Sequence, residues 1–341
     1  MGITCKRKLR AGRTVWQDAS PPRVRAGRMR RGLHAEVLVV GAGVSGAMIA
    51  EALASAGLDV VIVDRRGPLA GSTPASTALL QYEIDTPLHV LARRIGRGRA
   101  ERIWRRSRLA LDALRERSRH LGIEAGLVNR DSLFLEGNEL DAAGLHREAG
   151  ARRRAGFEVN EIGPAEVRRR FGIKGRAALM SYDNLAANPL QLAAGFLRAS
   201  INRGARLLAP VEIANLRFTA RGVTAVTADR RTLRAEHVVF ATGYEMLKGI
   251  PLKGHTIAST WAIATRPQPK ALWSGACFIW EASDPYLYLR ATPDGRIICG
   301  GEDEEFSDAA QRDALLPTKT ARLELKLSRL MPGIDARADY A

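Results

Sequence analysis

The chain has 341 residues, 46% of them hydrophobic and 26% charged, the balance of a globular protein with two domains or one large one. Its formal charge of +17 is uneven: residues 1–34 hold ten Lys or Arg against one Asp, a net +9 that leaves +8 for the remainder. Three scattered cysteines exclude a disulfide framework and a Cys-based zinc site, and the longest apolar run has turn glycines and terminal charges, which excludes a membrane span.

Residues 1–34 include "PPRVRAGRMRRG", a composition that cannot bury enough apolar surface to fold alone, and a basic disordered tail is expected there. Trp16 is its single aromatic, which argues against a nucleic-acid module, and no apolar segment follows the basic start as a secretory signal requires. A cytoplasmic protein is expected. Residues 36–40 read as a buried strand, residues 47–56 as a helix ending at Gly57, and residues 60–63 as a second strand closed by Asp64. "GSTPASTALLQYEID" follows as a small-residue loop. Residues 99–121 place Ile103, Trp104, Leu111, Leu114 and Leu121 on one helix face, with Arg99, Arg102, Arg105, Arg106, Arg108 and Arg115 on a solvated face. A short strand at 132–135 and helices at 140–155 and 189–204 come next. Beyond residue 250 the chain turns β-rich through "HTIASTWAIAT", "CFIW", "YLYLR" and "RIICGG", with "ATPDGR" as a hairpin turn. The pattern predicts an α/β fold in which a parallel, Rossmann-like domain is joined to a mainly antiparallel β domain.

Gly41, Gly43 and Gly46 complete G-x-G-x-x-G between that first strand and helix, with Val44 and Ser45 inside the turn. The first glycine allows the tight turn, the second lets the main chain approach a pyrophosphate, and the third lets helix and strand pack. Asp64 is placed to accept from a ribose, and an acid there disfavours a 2′-phosphate, although Arg65 and Arg66 follow it directly. The fingerprint alone does not separate FAD from NAD. The six histidines are scattered away from metal spacing, Ser72 lacks a nucleophile elbow, "GEDEE" reads as a solvated turn, and Cys299 reads as a buried strand residue. No metal and no protein nucleophile are predicted.

Together, "GSTPASTALLQ", "FATGYE" and "DPYLYLRATPDGRIICGGEDEE" resemble the glycine oxidase/D-amino-acid oxidase family of FAD-dependent oxidoreductases, from about residue 36 to the end. The resemblance implies FAD and an amine or amino-acid substrate, with hydride transfer from Cα to flavin N5. It implies cofactor contacts from Ser72, Thr73, Ser76, Thr77, Leu79 and Leu80, from the main chain at Val211 in "GARLLAPVEI", and from Gly243; Arg65, beside Asp64, is expected at the cofactor as well. It also implies a substrate contact from Tyr288. On a strand Tyr286, Tyr288 and Arg290 share one face, and two phenols with a guanidinium suit a carboxylate; cross-strand aromatic packing is the competing explanation. The expected FAD-binding domain covers residues 35–120 and 186–250, and the substrate domain covers 121–185 and 251–341. The electron acceptor is left open, and no nucleic acid is expected.

Two other readings are carried forward. A nicotinamide-dependent dehydrogenase shares the fingerprint. Alternatively, family members continue past "LMPGIDARADYA" into a Trp- and Gly-rich segment that covers the flavin, so weak flavin retention or an inactive flavoprotein-like chain is expected of this sequence.

Overall fold

A computed structural model describes residues 2–18, 21–250 and 254–341. The chain divides into two units, the first from Met1–Ser76, Ser118–Ala125 and Asn188–Ile257 and the second from Thr77–Arg117, Gly126–Ala187 and Ala258–Ala341.

The first unit is built on a six-stranded sheet. Strands Arg206–Leu208, Val60–Val63, Leu33–Val40 and Thr232–Phe240 run parallel, and an antiparallel meander through Gly222–Thr227 and Ile213–Thr219 extends it. "VVIV" at 60–63 is wholly buried, as a central parallel strand covered on both faces must be. Helices Val44–Ser55 and Pro189–Asn202 pack on one another, and the small Gly46, Ala47, Ala50 and Ala54 of the first are buried.

The stretch expected as a disordered tail is instead fastened to this unit, apart from residues 1, 19 and 20, which lie outside the described residues. Trp16 and Met29 are buried, and Trp16 Nε1 donates to Ser76 O at 2.8 Å. Ile3 N donates to Ile213 O and Cys5 N to Met246 O, while Lys248 N donates to Ile3 O. Composition missed this because the stretch does not fold alone; a few apolar anchors and its own main chain attach it to a sheet already made.

The second unit contains a nine-stranded, mainly antiparallel sheet. From Ile297–Glu304 it runs through Leu287–Ala291, Phe278–Glu281, Val128–Leu135 and Ala178–Ala186 to Leu79–Leu80 at the edge, with one parallel pairing, between Phe278–Glu281 and Val128–Leu135. Leu133, Ile279, Leu289 and Cys299 form its core with Leu323 and Leu327 of helix Leu316–Leu330. Residues 77–117 belong here and not to the expected cofactor domain. Leu79 and Leu80 pair with the Ala178–Ala186 strand, and Tyr82, Trp104 and Phe157 share one aromatic cluster. Helix Arg97–His120 has the expected arginine face, on which Arg105, Arg108 and Arg115 pair with Glu101, Asp112 and Asp183, but Ile103, expected inside, is 42% exposed.

Candidate functional site

In the first unit, the turn after strand Leu33–Val40 forms a cradle out of main chain. Gly41 takes φ +115, and a Cβ there would overlap the Ala241 carbonyl. A Cβ at Gly46 would overlap the Gly41 carbonyl, so the helix can begin on top of the turn only without one. Gly43 caps the helix with no side-chain acceptor, and Gly43, Val44 and Ser45 line a cleft at its positive end. A Cβ on Gly43 would sit 3.2 Å from Thr73 Oγ1, the hydroxyl that accepts from Val44 N at 3.1 Å.

Asp64 lines the same cleft and stitches it together. Its Oδ2 accepts from Ala42 N at 2.9 Å, and its Oδ1 accepts from Arg66 N at 2.8 Å and Gly67 N at 3.0 Å. A carboxylate has about four acceptor positions, so capacity remains for a ribose hydroxyl. Arg65 and Arg66 both ion-pair with Glu245, Arg66 through Nη1 and Nη2 at 2.8 and 2.6 Å. Burial opposes the Glu245 charge, but hydrogen bonds from Arg66 and Arg7 N and the two guanidiniums outweigh it and hold the carboxyl below its usual range. Both arginines that follow the acid are therefore engaged by a residue the sequence reading passed over.

Ser72, Thr73, Val211 and Gly243 complete the predicted lining, together with Ile3, Thr4 and Leu9 from the basic N-terminal stretch. Val211 N donates to Asp64 O at 2.8 Å, which fixes that segment against the acid. The loop read as one cofactor element is divided. Residues 72–76 belong to the first unit, whereas Thr77, Leu79 and Leu80 belong to the second, where the Thr77 carbonyl accepts from Arg290.

In the second unit, the rings of Tyr286 and Tyr288 lie 5.9 Å apart. Tyr286 OH donates to Asp303 Oδ2 at 3.0 Å, and the Tyr288 hydroxyl is hydrogen-bonded to the side chains of Thr77 and Thr260. Burial pushes the Tyr288 phenol up to about 12, and burial with the Asp303 charge raises Tyr286 as well, so both phenols keep their protons. Register puts Tyr288 opposite Gly300, where a Cβ would overlap the phenol ring. The signal for this was present in "IICGG", since glycine inside a strand marks a close approach. Arg290 is 2% exposed, and its Nη1 donates to the carbonyls of Thr77, Ala78 and Ala187 at 3.0, 2.7 and 3.0 Å. Its fork thus anchors main chain beside the tyrosines.

Among the described residues no group of His, Cys, Asp and Glu could hold a metal ion, and no helix is long and apolar enough to cross a membrane. Cys299 is wholly buried, and burial raises its thiol, as expected of a packing residue. "GEDEE" differs from the solvated turn expected: Glu302 is buried and bridged to Lys319 at 3.1 Å and to Lys326.

Residues 36–341 match the DAO family, described as FAD dependent oxidoreductase. NikD in its open form, an unusual amino acid oxidase of nikkomycin biosynthesis, superposes with a TM-score of 0.69 at 18% identity, over 90% of this chain and 80% of that one. Glycine oxidase from Geobacillus kaustophilus gives 0.64 at 22% identity over 88% and 78%, and L-proline dehydrogenase from P. horikoshii gives 0.67 at 18% identity over the same shares. These likenesses establish the fold. The Bacillus subtilis (strain 168) protein YhfW, named for a Rieske 2Fe-2S iron-sulfur group, is 20% identical over 257 residues. That match takes in 75% of this chain but 49% of YhfW, so the chain spans about half the length of the curated relative it matches.

Proposed function

The chain belongs to the DAO family of FAD-dependent oxidoreductases, and from that premise we propose that it oxidises an amine that carries a carboxylate, an amino acid or close analogue. The observation that carries this reading is the cleft of the first unit, where the glycine turn, the uncapped helix start, Asp64, Ser72, Val211 and Gly243 come together on one surface. FAD is the family's cofactor, and the nicotinamide alternative falls with that membership.

The residues fit the cofactor. Gly41 and Gly46 keep the turn free of Cβ atoms where a dinucleotide pyrophosphate would lie, and the amides of Ser45 and Gly46 at the start of helix Val44–Ser55 would donate to it, Val44 N being held by Thr73 Oγ1. Asp64 holds the glycine turn and the loop after it in one position and keeps an acceptor for the ribose. When bound, FAD supplies the two-electron acceptor for the substrate's Cα–H hydride, which leaves an imine that water hydrolyses to a carbonyl compound and ammonia or an amine. Tyr288 contributes a phenol that stays protonated at neutral pH, Tyr286 gives its proton to Asp303, and the Gly300 gap makes room for the Tyr288 ring. No side-chain nucleophile is required. A cytoplasmic location fits three free cysteines, two of them buried.

The test is the visible spectrum of the purified, FAD-reconstituted protein, followed by anaerobic addition of D- and L-amino acids and N-methylglycine. Bleaching of the flavin band by at least one of them is expected. A protein that takes up flavin but is bleached by no amine would overturn the reading.

A further inference from the structure

Residues 3–9 lie ahead of the fingerprint strand and outside the family match, which begins at residue 36. Three of them, Ile3, Thr4 and Leu9, nevertheless line the dinucleotide cleft of the first unit. Main chain does most of the fastening. Ile3 N donates to Ile213 O at 3.1 Å, Lys248 N donates to Ile3 O at 2.8 Å, and Cys5 N donates to Met246 O at 2.9 Å. Thr4 is bridged antiparallel to Leu247. Arg7 N donates to Glu245 Oε1 at 2.8 Å, and Arg7 O accepts from Arg66 Nη2 at 2.9 Å.

Side chains add to these ties. Lys6 pairs with Glu212 at 2.8 Å, and Ile3 packs against the core that contains Val211 and Ile213. Leu9 reaches Gly71, its Cδ1 lying 3.7 Å from the position of a Cβ there. The stretch is thus tied to three separate segments, at 212–213, 245–248 and 66, and touches a fourth at 71. That is a strap, not a tail.

Position fixes which part of the cofactor the strap would meet. In a dinucleotide fold the acid that follows the second strand marks the adenosine ribose. That acid is Asp64, and its neighbour Arg65 donates Nη1 to Thr4 Oγ1 at 3.3 Å. Val211, expected at the adenine, stands two residues before the Ile213 carbonyl that holds Ile3. With the strap tied down the cleft encloses about 110 Å³. Small-molecule sites enclose about 300–1,000 Å³, so the strap has to lift before a dinucleotide can enter.

We propose that residues 3–9 are a cofactor strap, which lifts to admit the adenosine half of FAD and closes over it. Ile3, Thr4 and Leu9 then form the outer wall of the occupied site, and the strap sets how fast FAD enters and leaves. This rests on FAD as the cofactor and is independent of which amine is oxidised.

A disulfide that locks the strap provides the direct test. Residues opposite one another in an antiparallel bridge have Cα atoms about 4.5–5.5 Å apart, inside the range of about 4.4–6.8 Å that a disulfide spans. Thr4→Cys with Leu247→Cys, in a Cys5→Ser background, should therefore close under oxidant and reopen with dithiothreitol, while Cys277 and Cys299 stay buried. FAD association with the flavin-free full chain, followed by stopped-flow flavin fluorescence, should be at least about tenfold slower in the oxidised protein than in the same protein reduced. Trypsin supplies a second readout. Cleavage after Lys6, Arg7, Lys8 and Arg10 should slow by about tenfold or more under saturating FAD or ADP, because it follows the open population. Riboflavin, which lacks the adenosine, should not protect. Equal association rates in locked and reduced protein overturn the proposal, as do cuts at these four sites that ADP leaves unchanged. The two readings fail separately. One FAD bound per chain at the same rate in both states keeps the cofactor and removes the strap, whereas no flavin bound in either state removes the cofactor reading and the strap with it.

Discussion

In the first unit the cleft is made of main chain: glycines that admit no Cβ, amides at a helix start, and one acid that ties two loops together. In the second unit the predicted substrate residues are side chains placed by strand register, with Tyr288 opposite Gly300. A main-chain cradle tolerates almost no change at its glycines, because the atoms that would collide cannot move aside. A side-chain site tolerates truncation at modest cost and changes what it binds.

The strongest way to break that contrast is Gly46→Ala. Its Cβ would meet the Gly41 carbonyl, backbone against backbone, and a loss of several kcal/mol with no FAD binding is expected from thermal melts and flavin titration. Gly57→Ala is the control: residue 57 also has positive φ, but nothing lies within 4 Å of its Cβ position. That change should cost about 1 kcal/mol and leave flavin binding intact.

Next in size is a pH effect confined to the second unit. Glu148 is wholly buried; burial opposes its charge, but hydrogen bonds from His89 and the Arg152 guanidinium outweigh that and hold its carboxyl at about 2, below the ordinary 4.5. Because the folded pKa is the lower one, this stabilisation is complete above the unfolded value and is lost as pH falls from about 4.5 toward 2. The shift corresponds to on the order of 3 kcal/mol. Denaturant melts across that range should flatten in Glu148→Gln, and an unchanged pH slope would contradict the assignment.

Gly300→Ala should be milder than Gly46→Ala, since its Cβ meets the Tyr288 side chain and not main chain. About 1–2 kcal/mol is expected, with a rise in KM. In Tyr288→Ala the same glycine change should cost almost nothing, a coupling that a double-mutant cycle measures. The smallest effect is expected on helix Arg97–His120, where Arg99→Gln or Arg106→Gln should change stability by no more than about 0.5 kcal/mol in a urea melt.

The same contrast explains what could be read from the sequence. The glycine fingerprint, Asp64 and the strands around them are local, so spacing within a short window sufficed to locate them, and "ATPDGR" did the same for its hairpin. The ordered N-terminal stretch was not legible, because Trp16 and Met29 find their partners far along the chain. Nor was the attachment of residues 77–117 to the second unit, which depends on the pairing of Leu79 and Leu80 with a strand that begins at Ala178. Glu245 had no local signature, since its partners are Arg65 and Arg66. Tyr288 was singled out through the family resemblance, with strand alternation in support, yet the glycine that makes room for it lies on the next strand.

The most direct test of the central claim is an equilibrium titration of the flavin-free protein with FAD, followed by flavin fluorescence, with NAD as competitor. Saturable binding of one FAD per chain, unaffected by NAD and lost in Gly46→Ala but kept in Gly57→Ala, is the predicted result. Binding that never saturates, that NAD displaces equally well, or that survives Gly46→Ala would contradict it.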